Sequence, residues 1–193
     1  LVSPRRARAV RHRRQARLVA DAIGERRLEH AAVDRPGANR GLTSRDIDEI
    51  GARLRGRYDL AVSSGAQRAT QTLACFLAAL DQQVPAGVVV EPGLRSPVED
   101  SWRAAYQKAG SGTLEALREA DPELVAEDSE RLGAALRRVL DRLPDDGRAL
   151  VVGHSPTNEA AVLGLTGEVV APLSKGAGIL VVSGDDGYQV EPL

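Results

Sequence analysis

The amino-acid sequence predicts an α/β layered fold with a mostly parallel central sheet. Three observations carry that expectation. Short apolar runs such as Asp59-Leu60-Ala61-Val62-Ser63, Val88-Val89-Val90 and Ala149-Leu150-Val151-Val152 have the length and β-branched content of buried strands. Between them lie segments whose apolar residues recur at helical spacing. The two kinds alternate along the chain, which is the pattern of strands laid side by side through helical crossovers. At 193 residues the chain suits one domain and can bury a core without disulfides or metal. Residues 1–8 are expected to form a flexible basic arm and residues 9–193 the single domain.

Taken in order, Ala7 to Val10 is expected as a short strand leading into Arg11-His12, although Arg8 interrupts it and only Val10 is β-branched. Residues 14–28 read as a helix, with Ala16, Val19, Ala20 and Ile23 in register and Gly24 near its end. Residues 29–42 have turn chemistry, centred on Asp34-Arg35-Pro36-Gly37. Thr43 or Ser44 caps a second helix reaching about Arg55, with Ile47, Ile50 and Leu54 on one face. The strand Asp59–Ser63 runs through Ser64-Gly65 into a helix from Ala66 to Leu80, striped by Ala69, Leu73, Phe76 and Leu80. Cys75 in that helix is expected to be a small interior residue.

After Val88–Val90, the stretch from Pro92 to Gly112 is expected to be irregular, with Trp102 as a loop anchor in the core. A short helix spans Leu114 to Ala120, and a longer one runs from Val125 to Leu143. His154 directly follows the strand Ala149–Val152. Ser155 as N-cap and Pro156 at the first helical position then start a helix to about Leu165. Ile179–Val182 and Tyr188–Val190 predict a hairpin closed around Asp185-Asp186-Gly187.

Composition narrows the function classes. Hydrophobic residues make up 42% and charged residues 27%, and the formal net charge is −1, so the whole chain does not attract nucleic acid by charge. Seven arginines and no acid lie in residues 1–17, but without interleaved aromatics they offer single-stranded nucleic acid little to stack on. One cysteine excludes an internal disulfide, and no metal-ligand cluster is evident, so neither metal nor organic cofactor is expected. No apolar run approaches the ~20 residues of a membrane span. The basic start lacks the apolar core of about 7–15 residues that a secretory signal needs, so a cytoplasmic location is expected.

In open α/β sheets, ligands bind beyond the carboxyl ends of strands. His12, Ser64 and His154 each follow an expected strand, so they are expected at one edge. Arg11 and Arg68 stand beside them. Imidazole is a nucleophile towards phosphorus, and guanidinium groups grip phosphate oxygens in pairs. Arg68 gains weight from its place after Ser63-Ser64 at a strand-to-helix turn, where backbone amides favour anions. A leaving alkoxide needs a proton, and either Glu99 or Asp100 could give it.

Arg11-His12, Leu42-Thr43 followed by Gly51, Ser63-Ser64 with Arg68-Ala69 and Gln71-Thr72, and Gly153-His154 occur in that order over nearly the whole chain. The set resembles the histidine phosphatase superfamily, the phosphoglycerate mutase-like group, and within it the small phosphatases. The resemblance implies a three-layer α/β/α sandwich and a metal-independent phosphomonoesterase working through a phosphohistidine on His12. It implies Arg11, Arg68, His154 and Ser155 around the phosphate, with Glu99 as the best match to the proton donor. The implied substrate is a phosphorylated small molecule or phosphoprotein.

Some positions depart from the pattern. Arg13 replaces the small residue after the nucleophile, Gln15 and Leu18 stand at the later Thr and Asn positions, and Ser64-Gly65 replaces Ser-Pro. These departures argue against a mutase. They open the alternative of a catalytically impaired phosphate-binding or regulatory member of the same fold.

Overall fold

The computed structural model describes residues 13–20, 50, 52, 54 and 56–193. The expected arm 1–8, the strand Ala7–Val10, the turn region 29–42 and most of the second helix lie outside the described residues, as do Arg11, His12 and His30. The described chain forms a six-stranded sheet in the order β3-β2-β4-β1-β5-β6. Its strands are β1 Arg14–Ala20, β2 Leu60–Ser63, β3 Val88–Val90, β4 Arg148–Gly153, β5 Gly178–Gly184 and β6 Gly187–Pro192. The strands β3, β2, β4 and β1 are mutually parallel, while β5 runs antiparallel to β1 and pairs with β6 in the expected hairpin.

The first correction concerns β1. Arg14–Ala20 is a strand, where a helix over 14–28 was expected. It lies between β4 and β5, and Leu18, Val19 and Ala20 are buried in succession. A strand covered on both faces needs an unbroken apolar run, not alternation, and alanines at 16 and 20 fit either period. The spacing of Ala16, Val19 and Ala20 therefore did not discriminate. Among the described residues the earliest strand, β1, lies after Arg11-His12, and Gln15 and Leu18 fall within it. Leu18 is fully buried within β1.

Alternation across the other strands divides the core. Ala16, Leu18, Leu60, Val62, Ala149 and Val151 pack on one side, while Val19, Ala61, Leu150 and Val152 pack on the other with Leu54 and Tyr58. The second side is covered by α1 (Gln67–Ala79), whose Ala69, Leu73 and Phe76 are buried as expected. Cys75, however, is exposed on that helix. It falls off the stripe by one helical step, so it faces solvent.

The first side is covered by α2 (Glu99–Ala109), α3 (Leu114–Ala120), α4 (Pro122–Asp141) and α5 (Thr157–Thr166). The arrangement is the expected three-layer α/β/α sandwich. Here the expected irregular stretch 92–112 is corrected. After a 3₁₀ turn at Pro92–Leu94 it becomes α2, with Glu99 and Asp100 in its first turn, Lys108 in its last and Gly110 in the left-handed conformation after it. Trp102 is buried in the core as an anchor, but on a helix.

Glycine decides how closely α4 and α5 meet. A Cβ on Gly164 would stand 1.7 Å from the Ser129 carbonyl oxygen, and one on Gly133 would stand 2.3 Å from the Gly164 carbonyl carbon. The two helices touch backbone to backbone, which fixes the base of α5 below the carboxyl edge of the sheet.

Candidate functional site

The carboxyl ends of β2 and β4 bring Ser64 and His154 together. The two strands pair as far as Ser63 and Val152, and the Ser64 amide donates to the Val152 carbonyl at 3.1 Å. The side chains meet at the same edge, with Ser64 Oγ 3.3 Å from His154 Nε2. The turn between β2 and α1 is held by Ser63, whose Oγ accepts from the Gly65 amide at 3.1 Å and lies 2.7 Å from Thr70 Oγ1. Gly65 has φ +89°. Proline cannot adopt that angle, so the Ser64-Gly65 departure reflects a different turn.

That turn places Arg68, in the first turn of α1, with its Nε 3.1 Å from His154 Nδ1. A guanidinium can only donate, so Nδ1 is the acceptor and the imidazole proton sits on Nε2, facing Ser64. His154 itself is buried. Three side chains from two strand ends and one helix thus converge as a group rich in N–H and O–H donors.

A cavity of about 250 Å³ opens over this group. Arg68, His154, Ser155 and Thr157 line it from the sheet edge, and Arg95, Glu99, Trp102 and Tyr106 line it from α2 and the turn before it. Glu99 therefore reaches the site, and Asp100 does not line it. The Asp100 carboxylate is 92% exposed and pairs with Arg103 at 2.7 Å. Glu99 accepts from Arg95 Nε at 2.7 Å. That hydrogen bond holds its carboxyl below the usual range, opposed by partial burial and reinforced by the charge of Arg95 and by nearby His154 and Arg68. Glu99 is thus ionised at neutral pH, the reverse of what a resting proton donor requires.

Ser155 was expected as N-cap of the helix after His154, and that expectation is corrected. Pro156 holds the cap position of α5 without a capping side chain, and Ser155 Oγ donates instead to Glu159 Oε1 at 2.5 Å. Glu159 is fully buried, and its Oε1 also accepts from the Leu173 amide at 2.7 Å. Burial pushes its carboxyl up, while the bonds from Leu173 and Ser155 pull it down. Sequence reasoning missed Glu159, Arg95 and Tyr106. The one signal for Glu159 was an acid immediately before the apolar run Ala160-Ala161-Val162.

Arg11 and His12 lie outside the described residues. The chain after them is described, however. The Arg13 amide donates to Asp146 Oδ1 at 3.1 Å and the Gln15 amide to the Gly147 carbonyl at 2.9 Å, both in the turn before β4. His154 follows the other end of β4, where Ala20 of β1 pairs with Gly153. Five residue steps of strand separate the two ends, about 17 Å. Among the described residues, no group of three or more His, Cys, Asp or Glu side chains could hold a metal ion, and no helix is long and apolar enough to cross a membrane.

This layout is shared with solved structures. A phosphoglycerate mutase from Bacillus anthracis superposes with a TM-score of 0.66 at 17% identity, covering 95% of this chain and 93% of its own. The fold is phosphoglycerate mutase-like. The alpha-ribazole phosphatase from Shigella flexneri matches with a TM-score of 0.58 at 17% identity over 93% of this chain and 95% of its own. A phosphoserine phosphatase from Entamoeba histolytica, solved with 3-phosphoglyceric acid, matches with a TM-score of 0.58 at 14% identity over 93% of this chain and 94% of its own. No family model matches the sequence, and no curated protein matches it. Identities this low speak for the fold, and the chemistry rests on the residues at the edge.

Proposed function

We propose that this chain binds the phosphate of a phosphomonoester beside Arg68 and His154, and that phosphoryl transfer to a histidine is lost or strongly slowed. The observation that carries the reading is the Arg68–His154–Ser64 group under an open cavity. Its geometry brings a guanidinium and an imidazole to the cavity wall, with the buried Ser64 hydroxyl holding the imidazole from behind. The named functions of the structural neighbours, phosphatases and a mutase acting on phosphorylated small molecules, support phosphate as the ligand.

The second half of the proposal rests on β1. The resemblance puts the Arg-His nucleophile motif at the carboxyl end of the first strand. The residue that ends β1 is Ala20, and the sequence continues Asp21-Ala22-Ile23, with no histidine until His30. Arg11-His12 precede the strand. This favours the phosphate-binding alternative over a phosphomonoesterase turning over through phosphorylated His12.

The test pairs binding with turnover. Calorimetric titration of the full chain with inorganic phosphate and vanadate is compared with Arg68→Ala, and hydrolysis of a generic aryl phosphate is compared with His12→Ala. We expect phosphate binding weakened about tenfold or more by Arg68→Ala, since hydrogen bonds to charged groups contribute about 1.5–3 kcal/mol each. We expect wild type and His12→Ala to be equally slow. Ready hydrolysis that His12→Ala abolishes would restore the phosphohistidine mechanism, and absence of phosphate binding would remove the site.

A further inference from the structure

The cavity over His154 has a second wall that phosphate recognition does not use. The sequence contains one Trp, three Tyr and one Phe, and two of these five aromatics, Trp102 and Tyr106, line this one cavity. They lie four residues apart on α2, a spacing that puts both on the same helix face. Their surroundings differ. Trp102 is buried, and its indole N–H donates to the buried Asp128 carboxylate at 2.7 Å, which fixes the ring as a wall.

Tyr106 is 54% exposed and lines the cavity, so its ring is open to a ligand there. It is backed on one edge by Gly112, where an added Cβ would stand 3.2 Å from Tyr106 Cε2. The loop after α2 therefore leaves room for the ring and limits where it can swing. Pro156, beside the cavity's histidine, adds a third apolar surface.

We propose that the ligand of this site is an aryl or heteroaryl phosphate, with its phosphate on Arg68 and His154 and its planar ring stacked on Tyr106. The inference rests on the phosphate reading above and deepens it to a substrate class. Aromatic rings gain from offset or edge-to-face contact beyond the area they bury, and a tyrosine ring loses little conformational freedom in making it. The volume sets the size. At about 250 Å³ the cavity falls below the range of about 300–1,000 Å³ typical of drug-sized ligand sites, so it fits a phosphate with one ring system.

The experiment titrates the full chain with inorganic phosphate, phenyl phosphate and cyclohexyl phosphate. Calorimetry is followed alongside the emission of Trp102, the sole tryptophan and a wall of the cavity. The two organic esters have the same charge and similar size, and differ in planarity and π-electrons. We expect phenyl phosphate to bind about two- to tenfold more tightly than cyclohexyl phosphate, as one aromatic contact gives. We expect Tyr106→Leu to bring that ratio close to one. Equal affinities for the two esters, with inorganic phosphate still bound, would overturn the ring proposal and leave the phosphate site standing. A wild-type chain that binds none of the three would overturn the phosphate reading beneath it. A ratio unchanged by Tyr106→Leu would overturn the assignment to Tyr106.

Discussion

Replacing Glu159 by Gln tests whether a buried, incompletely matched carboxylate lies behind the cavity-lining Ser155. Glu159 is 1% exposed, and its Oε1 accepts from Ser155 Oγ and from the Leu173 amide. Its Oε2 is buried without a hydrogen-bond partner among the described residues. Burial raises its pKa above the ordinary 4.5, the two donors opposing. A carboxyl whose folded pKa is raised binds its proton more tightly in the native chain than in the unfolded one. Its contribution to stability is therefore complete below about pH 4.3 and is lost as pH rises through the raised folded value. Glu159→Gln keeps an oxygen for both donors and carries no charge at any pH. The stability difference between the two chains must then shift in favour of Gln as pH rises, with a limiting slope of about 1.4 kcal/mol per pH unit for one proton. Glu159→Ala leaves Ser155 Oγ and the Leu173 amide without their acceptor, at about 1–3 kcal/mol each where they stay dry. Urea unfolding of the three chains from pH 4.5 to 8 measures this. Wild-type and Gln curves that run parallel across that range would refute a buried, unmatched carboxylate.

Two further substitutions test the frame. Gly164→Ala drives a methyl group into the Ser129 carbonyl across the α4–α5 contact, where backbone on both sides cannot yield. The loss of stability should reach or exceed the upper end of the 1–3 kcal/mol usual for overpacking, and an unshifted thermal midpoint would contradict the close approach. Asp128→Ala removes the acceptor of the Trp102 indole, and the same carboxylate pairs with Arg131. Since Arg131 is 40% exposed and can turn to water, the cost is set by the buried indole N–H, about 1–3 kcal/mol. It should be read by urea unfolding together with a shift in Trp102 emission. An unchanged emission spectrum would mean that Asp128 does not hold the ring.

Most of the fold could be read from the sequence where one signal dominated. The strands β2, β3 and β4 are short β-branched or aliphatic runs between turns, and α1 and α4 carry clear apolar stripes, so their type was legible. The segment 14–20 was not. Its alanines suit helix and strand alike, and only the partners β4 and β5, distant in sequence, decide for strand. The α2 segment was hidden for another reason. Its buried positions are only Trp102 and Ala105, because the other residues face the cavity or solvent, so no apolar stripe marks it. The His154–Arg68–Ser64 group was legible because Ser64 and His154 follow strand ends whose direction the alternation had set, and Arg68 lies in the first turn of the helix after Ser64. Arg95 and Tyr106 were not, since nothing in their spacing tells which way an isolated helix faces.

The charge balance of the cavity bears on what the site can do. An incoming dianion meets Glu99, whose carboxylate would repel it if it stood alone. Arg95 cancels that repulsion by binding Glu99 directly, which keeps the acid ionised and leaves Arg68 as the guanidinium nearest His154. A catalyst needs the opposite arrangement at that position, a carboxyl kept neutral until the leaving oxygen takes its proton. A site built to hold an anion gains from the pairing, because the acid is neutralised without any change of protonation. The Arg95–Glu99 pairing and the Ala20-Asp21-Ala22 sequence at the end of β1 therefore point the same way, from two independent parts of the chain. Arg95→Ala separates the two roles. It frees Glu99 and raises its pKa, which would weaken phosphate binding if the site serves retention and would speed hydrolysis of an aryl phosphate if Glu99 were a donor held in check.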